Sequence, residues 1–291
     1  MSTMPAPQHA EDNGVSSRDW RCSPKEPDLL FQDAKSVNTA LEESLTHWDK
    51  IGVRGRWIVN SHPKSGTHLL KNILLHFSSA AVHQEMLFYD TFAPAFIGEN
   101  NSQIYTAHLP YSMCSTAMGD AGNVQSILLL RHPCAIALAL ARAFYDVNTT
   151  RPDHLFLRER DSFEEIVRKV VCGYECAGLE FGPLAASLSE FCLEWQGKVR
   201  FTVKFEDIVA KLRGADDELL AYFQPILEAI FEAIPADAAL RIRAGSSTAI
   251  SATFSRTRES ACDMWTADDI YTAVPAAASA ELRDISRLLG Y

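Results

Sequence analysis

Short continuous apolar runs and helically spaced apolar positions take turns along this chain. Trp57, Ile58 and Val59 form one run, Asn60 to Gly66 supply turn formers, and Leu69, Leu70, Ile73, Leu74 and Phe77 recur at helical spacing up to about Ser78. This reads as strand, loop, helix. Ile104 to Ala107 is a short strand that ends in His108-Leu109-Pro110, and residues 85 to 101 before it read as a loop with Phe88, Tyr89, Phe92 and Phe96. Ser126 to Leu130 (SILLL) has the continuous apolar character of a strand buried on both faces of a parallel sheet, and a helix from about Cys134 to Tyr145 follows.

Further on, Ser162 and Glu165 make a capping box ahead of Phe163, Ile166, Val167, Val170, Val171 and Tyr174. Leu184, Leu188, Phe191, Cys192 and Trp195 predict another amphipathic helix, and Val199 to Phe205 alternates as a strand that ends at Glu206-Asp207-Ile208. Residues 215 to 234 are helical on either side of Pro225, which is expected to kink or divide the element. A final helix carries Leu282, Ile285, Leu288 and Leu289 and ends at Gly290. Strands alternating with helices predict an α/β fold, a central and mostly parallel sheet flanked by helices.

At 291 residues and 47% hydrophobic, the chain can bury the core of one generous α/β domain, here residues 29–291. Residues 1–28, rich in Pro, Ser and Asp without an apolar period, predict a disordered lead-in, and residues 34–50 a first helix through Val37, Leu41, Leu45 and Trp48. No window reaches the roughly eighteen uninterrupted apolar residues of a membrane span, and the N-terminus lacks a basic segment followed by an apolar core. The expectation is a cytoplasmic protein. Seven cysteines without a CxxC pair point to reduced thiols rather than a metal site. A formal net charge of −10 argues against a nucleic-acid surface, so an anionic ligand requires a local basic cluster.

Such a cluster is legible. The loop Pro63-Lys64-Ser65-Gly66-Thr67 sits where a helix begins, so unpaired N–H groups and the positive end of the helix dipole lie beside a lysine and two hydroxyls. It is an anion cradle for phosphate or a phosphate-like group. The lysine precedes the single glycine, which departs from the nucleotide triphosphatase loop GxxxxGK[ST]. Arg131 stands at the carboxyl end of the SILLL strand, where ligands of open α/β sheets bind and a guanidinium fork can grip phosphate. His108, also at a strand end, has an ordinary pKa near ~6.5 that suits a general base. The aromatics of residues 88 to 96 either line an apolar ligand site or form a satellite core cluster.

PKSGT after a hydrophobic strand resembles the 5′-phosphosulfate loop of sulfotransferases that use 3′-phosphoadenosine-5′-phosphosulfate (PAPS). HLP at 108–110 resembles that family's KTHLP segment, whose histidine is the catalytic base of many members, with Thr106 at the family's lysine. Arg131-His132-Pro133 resembles the start of RxPxDxxxSxxxF, in which arginine and serine hold the 3′-phosphate; the serine position is Ala139. KFEDI resembles RYEDL, which places Phe205 by the adenine. Phe254-Ser255-Arg256-Thr257-Arg258 and Asp263-Met264-Trp265 resemble the segment that closes over the 3′-phosphate, with longer spacing. The resemblance runs from about Arg56 to the C-terminus and points to a divergent branch of the bacterial or specialised-metabolism kind.

What the resemblance implies is a sulfotransferase fold of P-loop-like character and in-line transfer of a sulfuryl group from PAPS, without metal, to a hydroxyl or amine of a small molecule. Lys64 and His108 are the implied catalytic residues. Lys64, Ser65, Gly66, Thr67, His68, Leu69, Arg131, Ala139, Phe205, Arg256 and Arg258 are the implied cofactor contacts. His68 and Leu69 stand where the family has a threonine and an adenine-stacking tryptophan. Phe88, Tyr89, Phe92, Phe96, Tyr111, Phe144 and Tyr145 are the candidate acceptor contacts, and a homo-oligomer is not indicated. The alternatives are an ATP-using P-loop protein, which would need a magnesium ligand where Arg131 stands, and a noncatalytic binding protein on a related fold.

Overall fold

The computed structural model describes residues 41–88, 103–120, 124–145, 157, 159–176, 179–247 and 265–291. In chain order its regular elements are β1 (Arg56–Ser61), α1 (Thr67–Leu75), β2 (His83–Phe88), β3 (Ile104–His108), α2 (Tyr111–Asp120), β4 (Val124–Leu130) and α3 (Pro133–Tyr145). Then come α4 (Phe163–Cys172), β5 (Tyr174–Cys176), β6 (Leu179–Phe181), α5 (Leu184–Phe191), β7 (Phe201–Lys204), α6 (Phe205–Arg213), α7 (Asp216–Ile230), α8 (Ala238–Gly245), α9 (Ala267–Ala273) and α10 (Ala276–Leu288). Five strands form one sheet in the order β2-β3-β1-β4-β7, and every pairing is parallel. β5 and β6 make a separate antiparallel hairpin.

Alternation along the strands divides the apolar residues between two layers, as a sheet covered on both faces requires. Ile58, Tyr105, Ala107, Leu128 and Leu130 pack with α3, α4, α5, α9 and α10. Trp57, Val59, Ile104, Ile127, Leu129 and Val203 pack with α1, α6, α7 and α8. The chain leaves β1 toward β2 and β3 on one side, then crosses to β4 and β7 on the other. The crevice at the carboxyl end of β1 is thus a topological switch point, flanked by the ends of β3 and β4.

Several boundaries differ from the sequence pattern, each for a local reason. β1 extends through Asn60 and Ser61, because the buried Asn60 amide finds partners: Nδ2 donates to the Phe191 carbonyl (3.1 Å) and Oδ1 accepts from Leu109 N–H (3.0 Å). α1 stops at Leu75 rather than Ser78, the chain tightening as His76 and Phe77 N–H turn to the carbonyls of Ile73 and Leu74. His83–Phe88 is an edge strand instead of the start of a loop, with an irregularity between Gln84 and Leu87. α2 has too little apolar period to be read from its sequence, and of the expected first helix only residues 41–45 are described as helical.

β7 ends at Lys204 and α6 begins at Phe205, where Glu206 and Asp207 favour a helix N-terminus. α5 gives way to a 3₁₀ turn at Leu193–Trp195 that buries Trp195, its indole N–H donating to the Leu109 carbonyl (2.8 Å). Only the Ser162 half of the expected capping box is seen, since Glu165 turns its carboxylate to Arg168 at 2.6 Å. Pro225 lies within one helix and does not divide it. The carbonyl that proline leaves unbonded belongs to Ala221, which is exposed to water, while Leu219, Phe223, Ile226, Leu227 and Ile230 hold the opposite face in the core. Gly290 ends the last helix as expected. The predicted lead-in at 1–28, the loop aromatics Tyr89, Phe92 and Phe96, and Arg256 and Arg258 fall outside the described residues.

α1 is seated by α8 at a glycine. A Cβ on Gly245 would stand 2.6 Å from the Ile73 Cα and 2.8 Å from the Asn72 carbonyl oxygen, so the two backbones meet with no room for a side chain. Gly245→Ala is expected to destabilise the protein by about 1–3 kcal/mol in urea unfolding, because backbone rather than a flexible side chain must yield. A loss under about 0.5 kcal/mol would show that α8 shifts freely and does not fix α1.

Candidate active site

The loop between β1 and α1 is built around two left-handed residues, Lys64 (φ 67°) and Gly66 (φ 96°). Lys64 is the only non-glycine with positive φ among the described residues, a conformation that costs about 1–3 kcal/mol and persists only where surroundings impose it. Ser65 N–H closes a turn onto the His62 carbonyl at 3.1 Å, and Gly66 caps α1 without any side-chain capping bond. No acidic residue occupies the first turn, so neither a carboxylate of that turn nor a side-chain cap neutralises the positive end of the helix. Successive N–H groups in such turns form a concave anion-binding nest. Gly66 is required for a second reason: a Cβ there would lie 2.3 Å from the Phe205 ring.

Two buried donors at this site have no hydrogen-bond partner among the described residues. Ser65 is fully buried and its Oγ is unsatisfied, as is Nε of Arg131. Leaving a buried polar group unpaired costs about 1–3 kcal/mol, so both orphans fit a site shaped for an anion. Arg131 donates from one terminal nitrogen to the Lys64 carbonyl (2.8 Å) and lies 4.4 Å over the Phe205 ring, which ties the end of β4 to the loop. Burial lowers its pKa from the ordinary value, against the raising effect of Glu206.

His108, the last residue of β3, is 5% exposed on the same side of the sheet as Ser61. Its Nδ1 lies 2.7 Å from the Ser61 carbonyl oxygen, which can only accept, so Nδ1 carries the proton and Nε2 is the basic nitrogen. Ser61 Oγ stands 3.3 Å from the same Nδ1 and hydrogen-bonds Thr67 Oγ1, linking helix start, strand end and imidazole. Burial, opposed by the Ser61 carbonyl and reinforced by His62, His68 and Lys64, pushes the His108 pKa down to about 3. The ring is neutral at physiological pH, the state a proton acceptor needs.

His62 is a site residue that motif reading passed over. It is buried, its Nδ1 donates to the Pro63 carbonyl (2.8 Å), and its Nε2 accepts from Ser187 Oγ (2.9 Å), fastening the loop to α5. Burial lowers its pKa to about 4, the Pro63 carbonyl acting the other way. An apolar run followed by His-Pro-Lys carried no signal that the histidine would face inward.

The structure brings together Lys64, Ser65, Gly66, Thr67, His108, Arg131 and Phe205. His68 contributes charge toward His108, whereas Leu69 is buried in the apolar cluster with α7. Ala139 is half-buried on α3. Tyr111 is packed on Trp195 and lies under Lys198, Phe144 contacts Tyr174, and Tyr145 contacts Phe163. Phe88 pairs with His108 in register along β2 and β3, which places its backbone beside the imidazole-bearing residue. Among the described residues no group of three or more metal-ligating side chains is found, and no helix is long and apolar enough to cross a membrane.

No family model and no curated protein sequence matches the chain. Among solved structures it is similar to mouse sulfotransferase SULT7A1 complexed with PAP, with a TM-score of 0.54 at 14% identity, covering 88% of this chain and 94% of that one. The fold is a sulfotransferase fold. Sequence identity at that level leaves the chemistry to be argued from the site itself.

The depressed histidines predict an acid-sensitive fold. Between about 4 and the ordinary value of 6.5, His62 stays neutral when folded and takes up a proton when unfolded, and His108 does the same down to about 3. The unfolded state therefore binds more protons, and stability falls as pH drops through this window by about 1.4 kcal/mol per pH unit for each group. His62→Gln keeps one donor and one acceptor and should flatten the pH dependence of urea unfolding between pH 6 and 4.5 by about 1 kcal/mol per unit. An unchanged slope would mean that His62 protonates in the folded protein.

Proposed function

We propose that this protein transfers a sulfuryl group from PAPS to a hydroxyl or amine of a small-molecule acceptor. The observation that carries the reading is a pair of buried donors with no partner among the described residues, Ser65 Oγ on a strained loop at an uncapped helix start and Arg131 Nε at the adjacent end of β4, within the same strand-end crevice as a neutral histidine. A sulfotransferase fold that positions this set supports it.

PAPS, when bound, supplies the activated sulfuryl group and a nucleotide leaving group. Lys64, Ser65, the loop N–H groups and Thr67 would hold the 5′-phosphosulfate, and Arg131 the 3′-phosphate, with Arg256 and Arg258 as further candidates. PAP, the ligand of the mouse sulfotransferase structure, has the same two phosphate positions without the sulfate. Lys64 and the preorganised N–H groups would neutralise charge that grows on oxygen during transfer, which needs no reorganisation at the moment of reaction. His108 Nε2 would accept the acceptor's proton. Lys64 is among the cations that suppress its basicity, so an anion held by Lys64 offsets that repulsion and strengthens the base when substrate is in place.

Phe205 would enter this site as part of its wall. One ring face carries the Arg131 guanidinium and its edge meets Gly66, so it braces the loop against the arginine.

PAP is expected to raise the melting temperature of the protein, and ATP with magnesium to raise it far less, since only a ligand that binds the native state stabilises it. Lys64→Ala should lower sulfuryl transfer from PAPS by on the order of a hundredfold, the scale for losing a transition-state charge stabiliser. Stabilisation by magnesium-ATP with none by PAP would overturn the reading in favour of a phosphotransferase.

A further inference from the structure

Glu206 stands close enough to Arg131 for its charge to raise the arginine's pKa, yet the two form no ion pair among the described residues. Both carboxylate oxygens are engaged elsewhere. Oε1 accepts from His132 N–H at 3.0 Å, and Oε2 accepts from the Tyr291 hydroxyl at 3.0 Å. A buried guanidinium N–H thus stays unsatisfied beside a carboxylate that is held by other donors, although charge-assisted pairing would satisfy both.

The tyrosine is placed there by the fold. Gly290 adopts φ 81° after α10, its N–H bonds to the Arg287 carbonyl (3.0 Å) and Tyr291 N–H to the Ser286 carbonyl (2.9 Å), the Schellman pattern that turns a chain back on its helix. Lys204 at the end of β7 donates to the Gly290 carbonyl (2.6 Å) and sits 4.4 Å over the Tyr291 ring, whose centroid lies 5.2 Å from the His132 ring in an edge-on contact. Burial and the Glu206 charge push the phenol's pKa up, so it remains a donor.

We propose that Tyr291 is a positioning residue for the anion site: its hydroxyl holds Glu206 off Arg131 and leaves the guanidinium edge open to a bound anion. This deepens the assignment of Arg131 as an anion-binding residue and rests on it. Without the phenol hydroxyl, Oε2 loses its donor while the Arg131 charge remains within reach of the carboxylate, which then competes with the incoming anion.

The full chain with Tyr291→Phe, Glu206→Gln and both together is titrated with PAP, and the crystal structure of Tyr291→Phe is determined. Tyr291→Phe should weaken PAP binding about tenfold, roughly the worth of one charge-assisted contact. Glu206→Gln should bind within about threefold of wild type, or tighter, and the double variant should match Glu206→Gln rather than Tyr291→Phe. In the Tyr291→Phe structure Glu206 Oε2 should lie within hydrogen-bond distance of Arg131. A double variant as weak as Tyr291→Phe would overturn the proposal and assign Tyr291 to packing alone. Should the wild type take up no PAP, the nucleotide reading fails on its own, while the structure still decides: Glu206 on Arg131 supports the clamp, and Glu206 unmoved overturns it.

Discussion

A buried hydroxyl with no partner among the described residues, on a loop that also forces a lysine into a left-handed backbone, is the constraint on which the rest of this structure depends. Together the two features cost on the order of 2–6 kcal/mol, a large share of the stability of an ordinary domain. Packing around the loop holds it in place. α8 meets α1 at Gly245, Phe205 fills the space above Gly66, and His62 pins the other side to Ser187. A loop so restrained keeps its donors aimed at one place, which is how preorganised electrostatic stabilisation works.

The charge economy follows the same lines. A chain of net charge −10 repels anions at long range, so recognition must come from short-range donors in a desolvated setting. Lys64, Arg131 and the start of α1 converge there because three parallel strands end side by side. The same convergence explains why His108 is a depressed base: it shares a dry crevice with the cations that the anion requires. Ligand and base are therefore coupled through charge as well as through geometry.

Much of this was legible in the sequence where a local pattern carries the information. The parallel sheet followed from apolar runs such as SILLL; Lys64 stood out because it sits in a turn where a helix begins, and His108 and Arg131 because each stands at a strand end. Polar pairs that satisfy one another across the fold left no such mark. Asn60 reads as a turn former until Leu109 and Phe191 supply its partners, and Glu206 reads only as the end of a strand until His132 and Tyr291, 85 positions away from it, take both oxygens. Pro225 does not divide its helix for the opposite reason, since the damage it does falls on the solvent side.

A crystal structure of the protein with PAP tests the central claim most directly. The 5′-phosphate is expected within hydrogen-bond distance of Ser65 Oγ and the N–H groups at the start of α1, with the 3′-phosphate on Arg131, so that both orphaned donors acquire partners. PAP bound away from this loop, or bound there with Ser65 Oγ and Arg131 Nε still unsatisfied, would contradict the assignment of the loop as the anion site.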